Sequence, residues 1–342
     1  MKAIRFHKFG GPDVLVYEDA PKPAPGPYDV VVQLKAAALN HLDLFIRRGA
    51  REKNIPLPHI SGSDGAGIVA EVGALVFHLK PGDRVAISPG IGCGKCSFCL
   101  GGRENFCTKF HVLGNQEDGT FAEFIKLPAR NVLPISDSMS FEDAAAFTLV
   151  SLTAWHMLMT LARLKSGETV LIHGAGSGVG SAAIQIAKLF DAHVIATAGS
   201  EEKLAKAKEL GADQVINYKE KDFVKEVRAL TGKAGVDVVF EHIGGEVFEK
   251  SITIMKKGGR LVTCGTTTDG IAKSDVRYIF SRQLTIHGSF MGTKEELVKA
   301  LGYFQLGQLR AVIDSVFPLA QTADAQRRME SRENFGKIVL KI

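Results

Sequence analysis

The stretch "ETVLIHGAGSGVG", Glu168 to Gly180, decides the fold. Its first half carries Val170, Leu171 and Ile172 in succession, without alternation, the pattern of a strand buried on both faces. Its second half is rich in glycine, and the helical stretch "SAAIQIAKLF" follows at once. A strand that turns through glycines into a helix lets a pyrophosphate approach the backbone, where free N–H groups and the positive end of the helix dipole meet it. A strict G-x-G-x-x-G is not present, because counting from Gly174 it would need glycine at Val179. The context, more than the spacing, carries the reading.

Working outward, the alternation continues: strand "HVIATA", helix "EEKLAKAKELG" stopped at Gly211, strand "QVINY", helix "DFVKEVRAL", strand "VDVVFEHI", helix "VFEKSITIMKKGG" and strand "RLVTCG". Repeated strand and helix specify a parallel sheet covered on both faces, an α/β doubly wound domain. The residues before about 130 differ, with short strand-like runs such as "DVVVQLKAAAL", "GAGIVAEVG" and "GDRVAIS" broken by turn signals, which predicts a small curled β domain. After a last strand, "LTIHGSF", come a helix, "KEELVKALGYFQLG", and a final strand, "GKIVLKI", expected to pack back on the first domain because alone they cannot bury their apolar faces.

At 342 residues, 45% hydrophobic and 23% charged, the chain has the size of two ordinary domains and the balance of a soluble protein. The formal charge of +5 is spread along the sequence without a basic block, so nucleic acid is not the expected partner. The N-terminus "MKAIRFHKFGG" carries no apolar secretory segment, and the expected location is the cytoplasm. Ala144 to Ala162 contains no Asp, Glu, Lys or Arg, but its several Thr and Ser residues and His156 favour a buried helix over a membrane span.

Four of the five cysteines, Cys93, Cys96, Cys99 and Cys107, are spaced C-x2-C-x2-C-x7-C. In a reducing compartment such spacing gathers thiolates on one ion, and four sulfurs close a tetrahedron around zinc. An iron-sulfur cluster or two disulfides are the alternatives. Cys264 reads as a core residue in an apolar strand.

For the nucleotide, Gly176, Ser177, Gly178, Val179 and Gly180 form the expected phosphate turn. The second strand ends "ATAGSEEK", with Ala198, Gly199 and Ser200 where a carboxylate would hold the adenosine ribose of NAD. Its absence, with Ser200 and Lys203 as donors, favours NADPH, with NADH possible.

The run "NHLD" offers Asn40, His41 and Asp43 within four residues. Taken alone it is a metal site, an acid/base pair or a polar patch. A set of His41, Asp43, His59 and Asp64 is an unconventional metal site to be tested, and Arg47 reads as a structural ion-pair partner or an anion contact.

The cysteine lobe set between a glycine-rich β domain and a doubly wound domain, with "GGPDVL" near the start and "FGKIVL" near the end, resembles the medium-chain dehydrogenase/reductase superfamily, which includes the zinc alcohol dehydrogenases and the quinone oxidoreductases. The resemblance implies a GroES-like β-barrel catalytic domain over 1–150, a Rossmann domain over 151–289, and a return of 290–342 to the catalytic domain. It also implies one structural zinc at the cysteine lobe. Zinc alcohol dehydrogenases hold a second, catalytic zinc at three positions that here carry Asn40, Ser63 and Leu149, which do not make a zinc site. "NHLDLFIRRG" and "PHISGSDGAGIV" are instead similar to the quinone oxidoreductase branch. By the same resemblance Tyr218 and Arg332 join Ser200 and Lys203 at the 2'-phosphate, Thr153 contacts the nicotinamide, and Val179 lies behind its ring.

The expectation is therefore an NADPH-dependent oxidoreductase passing hydride to a small quinone or α,β-unsaturated carbonyl without catalytic metal. Asn40 would donate to the substrate or ribose, Asp43 order the local network, and His41 or a water supply the proton. Two alternatives stand: a zinc-type alcohol dehydrogenase acting on alcohols or aldehydes, and a catalytically silent NADPH-binding sensor. A homodimer or homotetramer is implied by the resemblance, and no membrane partner is expected.

Overall fold

The structure is a computed structural model that describes residues 1–50 and 55–342. It divides into one unit of Met1–Leu149 with Thr293–Ile342 and a second of Val150–Gly292.

In the second unit the decisive stretch forms the strand Thr169–Ile172, in which Val170, Leu171 and Ile172 are wholly buried. The helix Gly178–Leu189 follows, its N-cap Ser177 accepting a hydrogen bond from the Gly180 N–H at 2.9 Å. Six parallel strands lie in the order Gln214–Asn217, His193–Ala198, Thr169–Ile172, Val236–Glu241, Met255–Thr263 and Thr285–Gly288. The order runs outward on one side and then on the other, so the glycine turn sits at the reversal, where open α/β sheets bind ligands. Leu171, Ile195, Ile216, Val239 and Leu261 form a core with Phe223, Val227 and Ile252 from the helices.

One element differs from its sequence pattern. The helix Gly245–Thr253 stops early, and the strand Met255–Thr263 begins within the "IMKKGG" read as helix. Pairing of Met255 with Val236 wins over the local periodicity, and Gly258, at φ +74°, opens a bend within the strand. Cys264 lies just past this strand, not in it.

In the first unit the long strand Asp29–Ala38 is central. It pairs antiparallel with Asp64–Val72, with Phe124–Pro128 and, through Ala36–Ala38, with the C-terminal strand Lys337–Lys341. Gly67 lies opposite the shift of register between Leu34 and Ala36; a Cβ there would come within 2.0 Å of the Gln33 carbonyl oxygen. Val30, Val32, Leu34, Val69, Val85 and Ile87 fill one core of this curled sheet. The C-terminal return holds more than the sequence suggested: the strand Ile313–Pro318 runs parallel to Lys337–Lys341, with the helix Thr322–Glu330 between them.

The apolar stretch forms the helix Phe141–Trp155, continued by a π-helical segment, His156–Leu161. Among the described residues it is the one helix long and apolar enough to cross a membrane, and 78% of its most apolar window is buried in the protein.

Candidate active site

Asn40 ends the central strand's run and caps the helix His41–Arg47. Two residues inside this helix start, Asp43 reaches back to accept the Asn40 backbone N–H at 2.7 Å. The Asn40 side chain is engaged on both sides: Nδ2 donates to Asp64 Oδ2 at 2.9 Å, and Oδ1 accepts from Lys337 Nζ at 2.7 Å. Lys337 also donates to Asp64 Oδ2 at 2.8 Å. The other oxygen of Asp64 accepts from Thr148 Oγ1 at 2.6 Å and from the Leu149 N–H at 2.9 Å. All five side chains are buried.

Pairing makes this burial tolerable: a carboxylate with four donors and an ammonium with two acceptors keep hydrogen bonds in place of water. Asp43 fares differently. Burial pushes its carboxyl up to about 7, against the Asn40 N–H and the Lys337 charge, which hold it down, and Asp64, which adds to the rise. Its Oδ1 meets no hydrogen-bond partner among the described residues. His41 is exposed on the first turn, its ring edge-on to Phe45.

The structure does not gather His41, His59 and Asp64 around one ion. His59 Nε2 faces the Gly114 carbonyl at 3.0 Å, and burial lowers the pKa of its ring. Asp64 is spent on Lys337 and Asn40. The three positions assigned by resemblance to a catalytic zinc do not fit one either: Asn40 is closed into the network, Ser63 Oγ donates to the Leu113 carbonyl at 2.8 Å, and Leu149 offers no donor atom on its side chain. Arg47 proves structural, buried with its guanidinium on Gln326, Glu330 and the Gly10 carbonyl.

The cysteine lobe does fit a metal. The sulfurs of Cys93, Cys96, Cys99 and Cys107 lie within 4.8 Å of one another, a four-thiol set suited to tetrahedral zinc. Backbone N–H groups of Lys95 and Cys96 lower Cys93 to about 6, and those of Cys93 and Lys109 lower Cys107. Burial pushes Cys99 the other way, up to about 12, so a cation bound among the four sulfurs would be what holds them all as thiolates. Cys264 stands apart, pushed up to about 12 by burial.

The nucleotide turn is a cradle without side chains. A Cβ on Gly180 would strike the Gly174 carbonyl oxygen at 2.3 Å, and Gly174 itself has φ +63°. Ser177 Oγ braces the turn by donating to the Gly174 carbonyl at 2.8 Å, and His242 Nε2 faces the His173 carbonyl at 3.0 Å. Gly176, Gly178 and Val179 complete the loop and first helical turn. At the next strand end, Ser200 caps the helix Glu201–Glu209. The Tyr218 hydroxyl and Lys219 Cε overhang Gly199, 2.7 and 3.1 Å from where its Cβ would be. The neighbouring carboxylate of Glu201 is held by Asn217 Nδ2 at 3.0 Å. The structure thus brings Ser200 and Tyr218 to one strand end, with Lys203 in the first turn of the helix that Ser200 caps. Thr153 is buried on its helix, and Arg332 belongs to the first unit, just past the helix Thr322–Glu330 at φ +57°.

Sequence reasoning missed Lys337 and Thr148. The one signal was a lysine opening an otherwise apolar strand, "KIVL", all of which is buried.

Residues 26–137 match the family of the alcohol dehydrogenase GroES-like domain, and residues 178–305 that of the zinc-binding dehydrogenases. The chain is 32% identical to a quinone oxidoreductase of Rattus norvegicus, over 99% of this chain and 97% of that protein. It is 34% identical to an alcohol dehydrogenase of Geobacillus stearothermophilus, over the whole of both. Among solved structures, an NAD-dependent alcohol dehydrogenase superposes with a TM-score of 0.97 at 46% identity, covering both chains fully.

Proposed function

The chain belongs to the zinc-alcohol-dehydrogenase-like medium-chain dehydrogenases/reductases and is an NAD(P)-dependent oxidoreductase; from that premise we propose that it reduces quinones or α,β-unsaturated carbonyls with NADPH and without a catalytic metal. The observation that carries this reading is the closed network at Asn40, in which an ammonium and a carboxylate use up the groups a metal would need. Oxidising an alcohol requires loss of the hydroxyl proton, for which bound zinc is the usual device. A quinone or enone is already electrophilic and needs placement and donors at its developing oxyanion.

When bound, NADPH supplies the hydride. With Ser177 bracing the turn from Gly174 to Gly180, the N–H groups of Gly178 and Val179 would hold its pyrophosphate, and Ser200, Lys203 and Tyr218 its 2'-phosphate. The resemblance adds Arg332 at that phosphate and Thr153 at the nicotinamide. Asn40 donates its remaining Nδ2 hydrogen to the acceptor's oxygen as charge develops there. Asp43 fixes the Asn40 backbone, and exposed His41, or a water, delivers the proton that completes the reduction.

The test is oxidation of NADPH and NADH with 1,2-naphthoquinone, an enal and a panel of simple alcohols, with zinc counted on the same sample. Expected are NADPH consumption with the quinone or enal and one zinc per chain at the cysteine lobe. Rapid alcohol oxidation, no NADPH consumption and two zincs per chain overturn the reading in favour of a zinc-type alcohol dehydrogenase.

A homodimer is proposed through the edge strand Thr285–Gly288, which exposes Ile286 next to the exposed Phe280 and Phe290. Light scattering is expected to give twice the chain mass, and Ile286→Lys to shift it to the monomer.

A further inference from the structure

We propose that Lys337 is the positioning residue of this metal-free site, a built-in cation that locks the side-chain amide of Asn40 in one orientation. Asn40 lies with Asp64 Oδ2 on one side and Lys337 Nζ on the other, at 2.9 and 2.7 Å. An amide turned over would set its NH2 against an ammonium and its oxygen against a carboxylate, so only one orientation is compatible with both neighbours. That choice fixes where the second Nδ2 hydrogen points.

The clamp is assembled from four separate segments. Asn40 follows the central strand, Asp64 opens its antiparallel partner, Thr148 and Leu149 lie on a helix, and Lys337 opens the last strand. Lys337 is held in register by the backbone, since the Leu39 N–H donates to the Ile338 carbonyl at 2.9 Å. Thr148 and Leu149 fill the other oxygen of Asp64, and the Lys337 ammonium divides its hydrogen bonds between that carboxylate and the Asn40 oxygen. The remaining charged neighbour is Asp43, whose carboxyl feels both Lys337 and Asp64.

The catalytic consequence rests on the reductase reading, whereas the clamp itself does not. Lys337→Met, Asp64→Asn and the double variant separate the two. Melting temperature, zinc content, and kcat and KM with NADPH and 1,2-naphthoquinone are measured for each. Either single variant leaves one buried charge uncompensated and is expected to melt about 5 °C or more below the parent. The double variant is expected to melt above both, with one zinc per chain throughout. Its kcat is nevertheless expected to stay down about tenfold or more with little change in quinone KM, because Asn40 has lost the donor that orients it. Lys337→Arg, which keeps the charge, is expected to recover part of kcat.

Recovery of parental kcat in the double variant, or parental kcat in Lys337→Met, overturns the positioning role. If the parent reduces no quinone, the reductase reading fails, and the melting cycle still decides the clamp: additive losses with no recovery in the double variant refute it.

Discussion

The cysteine lobe gathers four thiols within 4.8 Å and needs a cation from outside, whereas the cluster at Asn40 gathers two buried carboxylates and takes its cation, Lys337, from the chain itself. The donor chemistry explains the difference. Four thiols converging on a point suit a soft metal ion, and backbone N–H groups lower Cys93 and Cys107 toward the thiolate while burial raises Cys99. An amide and a carboxylate are satisfied by hydrogen bonds, and a buried ammonium satisfies both at once. One region is therefore suited to a metal ion, and the other carries its own cation.

The largest expected effect breaks the first half of this comparison. Metal binding at structural zinc sites is worth on the order of 10 kcal/mol. Cys99→Ser is expected to bring zinc from one per chain to none and to lower the melting temperature by roughly 10 °C or more. Metal analysis and a thermal melt on the same preparation check it, and a variant that keeps its zinc or its melting point shows that the lobe does not depend on metal.

Next comes the other half. Asp64→Ala removes the carboxylate that accepts four donors and strands the Lys337 ammonium, which is expected to cost about 3–5 kcal/mol. Chemical denaturation measures it. Zinc content should remain one per chain, because the lobe's ligands are all elsewhere; loss of zinc in this variant would show that the two regions are coupled.

What could be read beforehand follows the same division. The lobe was legible because its four ligands fall between residues 93 and 107, so spacing alone implies convergence. The strand, glycine turn and helix of Glu168–Leu189 were legible because each is a local pattern. Lys337 was not, since 297 positions separate it from Asn40, and a lysine opening an apolar strand does not by itself point to its partner. The replacement of a thiolate by Asn40 was visible by resemblance, but not that its amide would be filled from Asp64 and Lys337. The helix read through Gly259 failed for a related reason, pairing with a distant strand outweighing a local period.

Asp43 sharpens the comparison through pH. Folding raises its carboxyl from 3.8 to about 7, so between these values the folded chain binds a proton that the unfolded chain has released. Its contribution to stability is complete below about pH 4, declines as pH rises and is lost above about 7, on the order of 4 kcal/mol at most. Asp43→Asn can still accept the Asn40 N–H and cannot ionise. Its unfolding free energy, relative to the parent, is therefore expected to rise from pH 4 to 7 and level off; parallel curves for the two proteins would place Asp43 in its ionised form throughout that range.

The smallest expected effect concerns a third region, where the chain is proposed to supply positive charge for an anion brought from outside. Ser200 caps its helix at the strand end where Tyr218 and Lys219 overhang Gly199, and the nearest carboxylate, Glu201, is tied to Asn217. Ser200→Asp keeps the cap, because Asp accepts the same N–H bond. It also sets a carboxylate against a 2'-phosphate, so KM for NADPH is expected to rise about ten- to thirtyfold, a loss of about 1.4–2 kcal/mol, while KM for NADH falls or holds. Steady-state kinetics with both nucleotides at one acceptor concentration decide it. Equal changes for the two would place the phosphate elsewhere, and would leave the cap, not charge recognition, as the reason for a serine at this position.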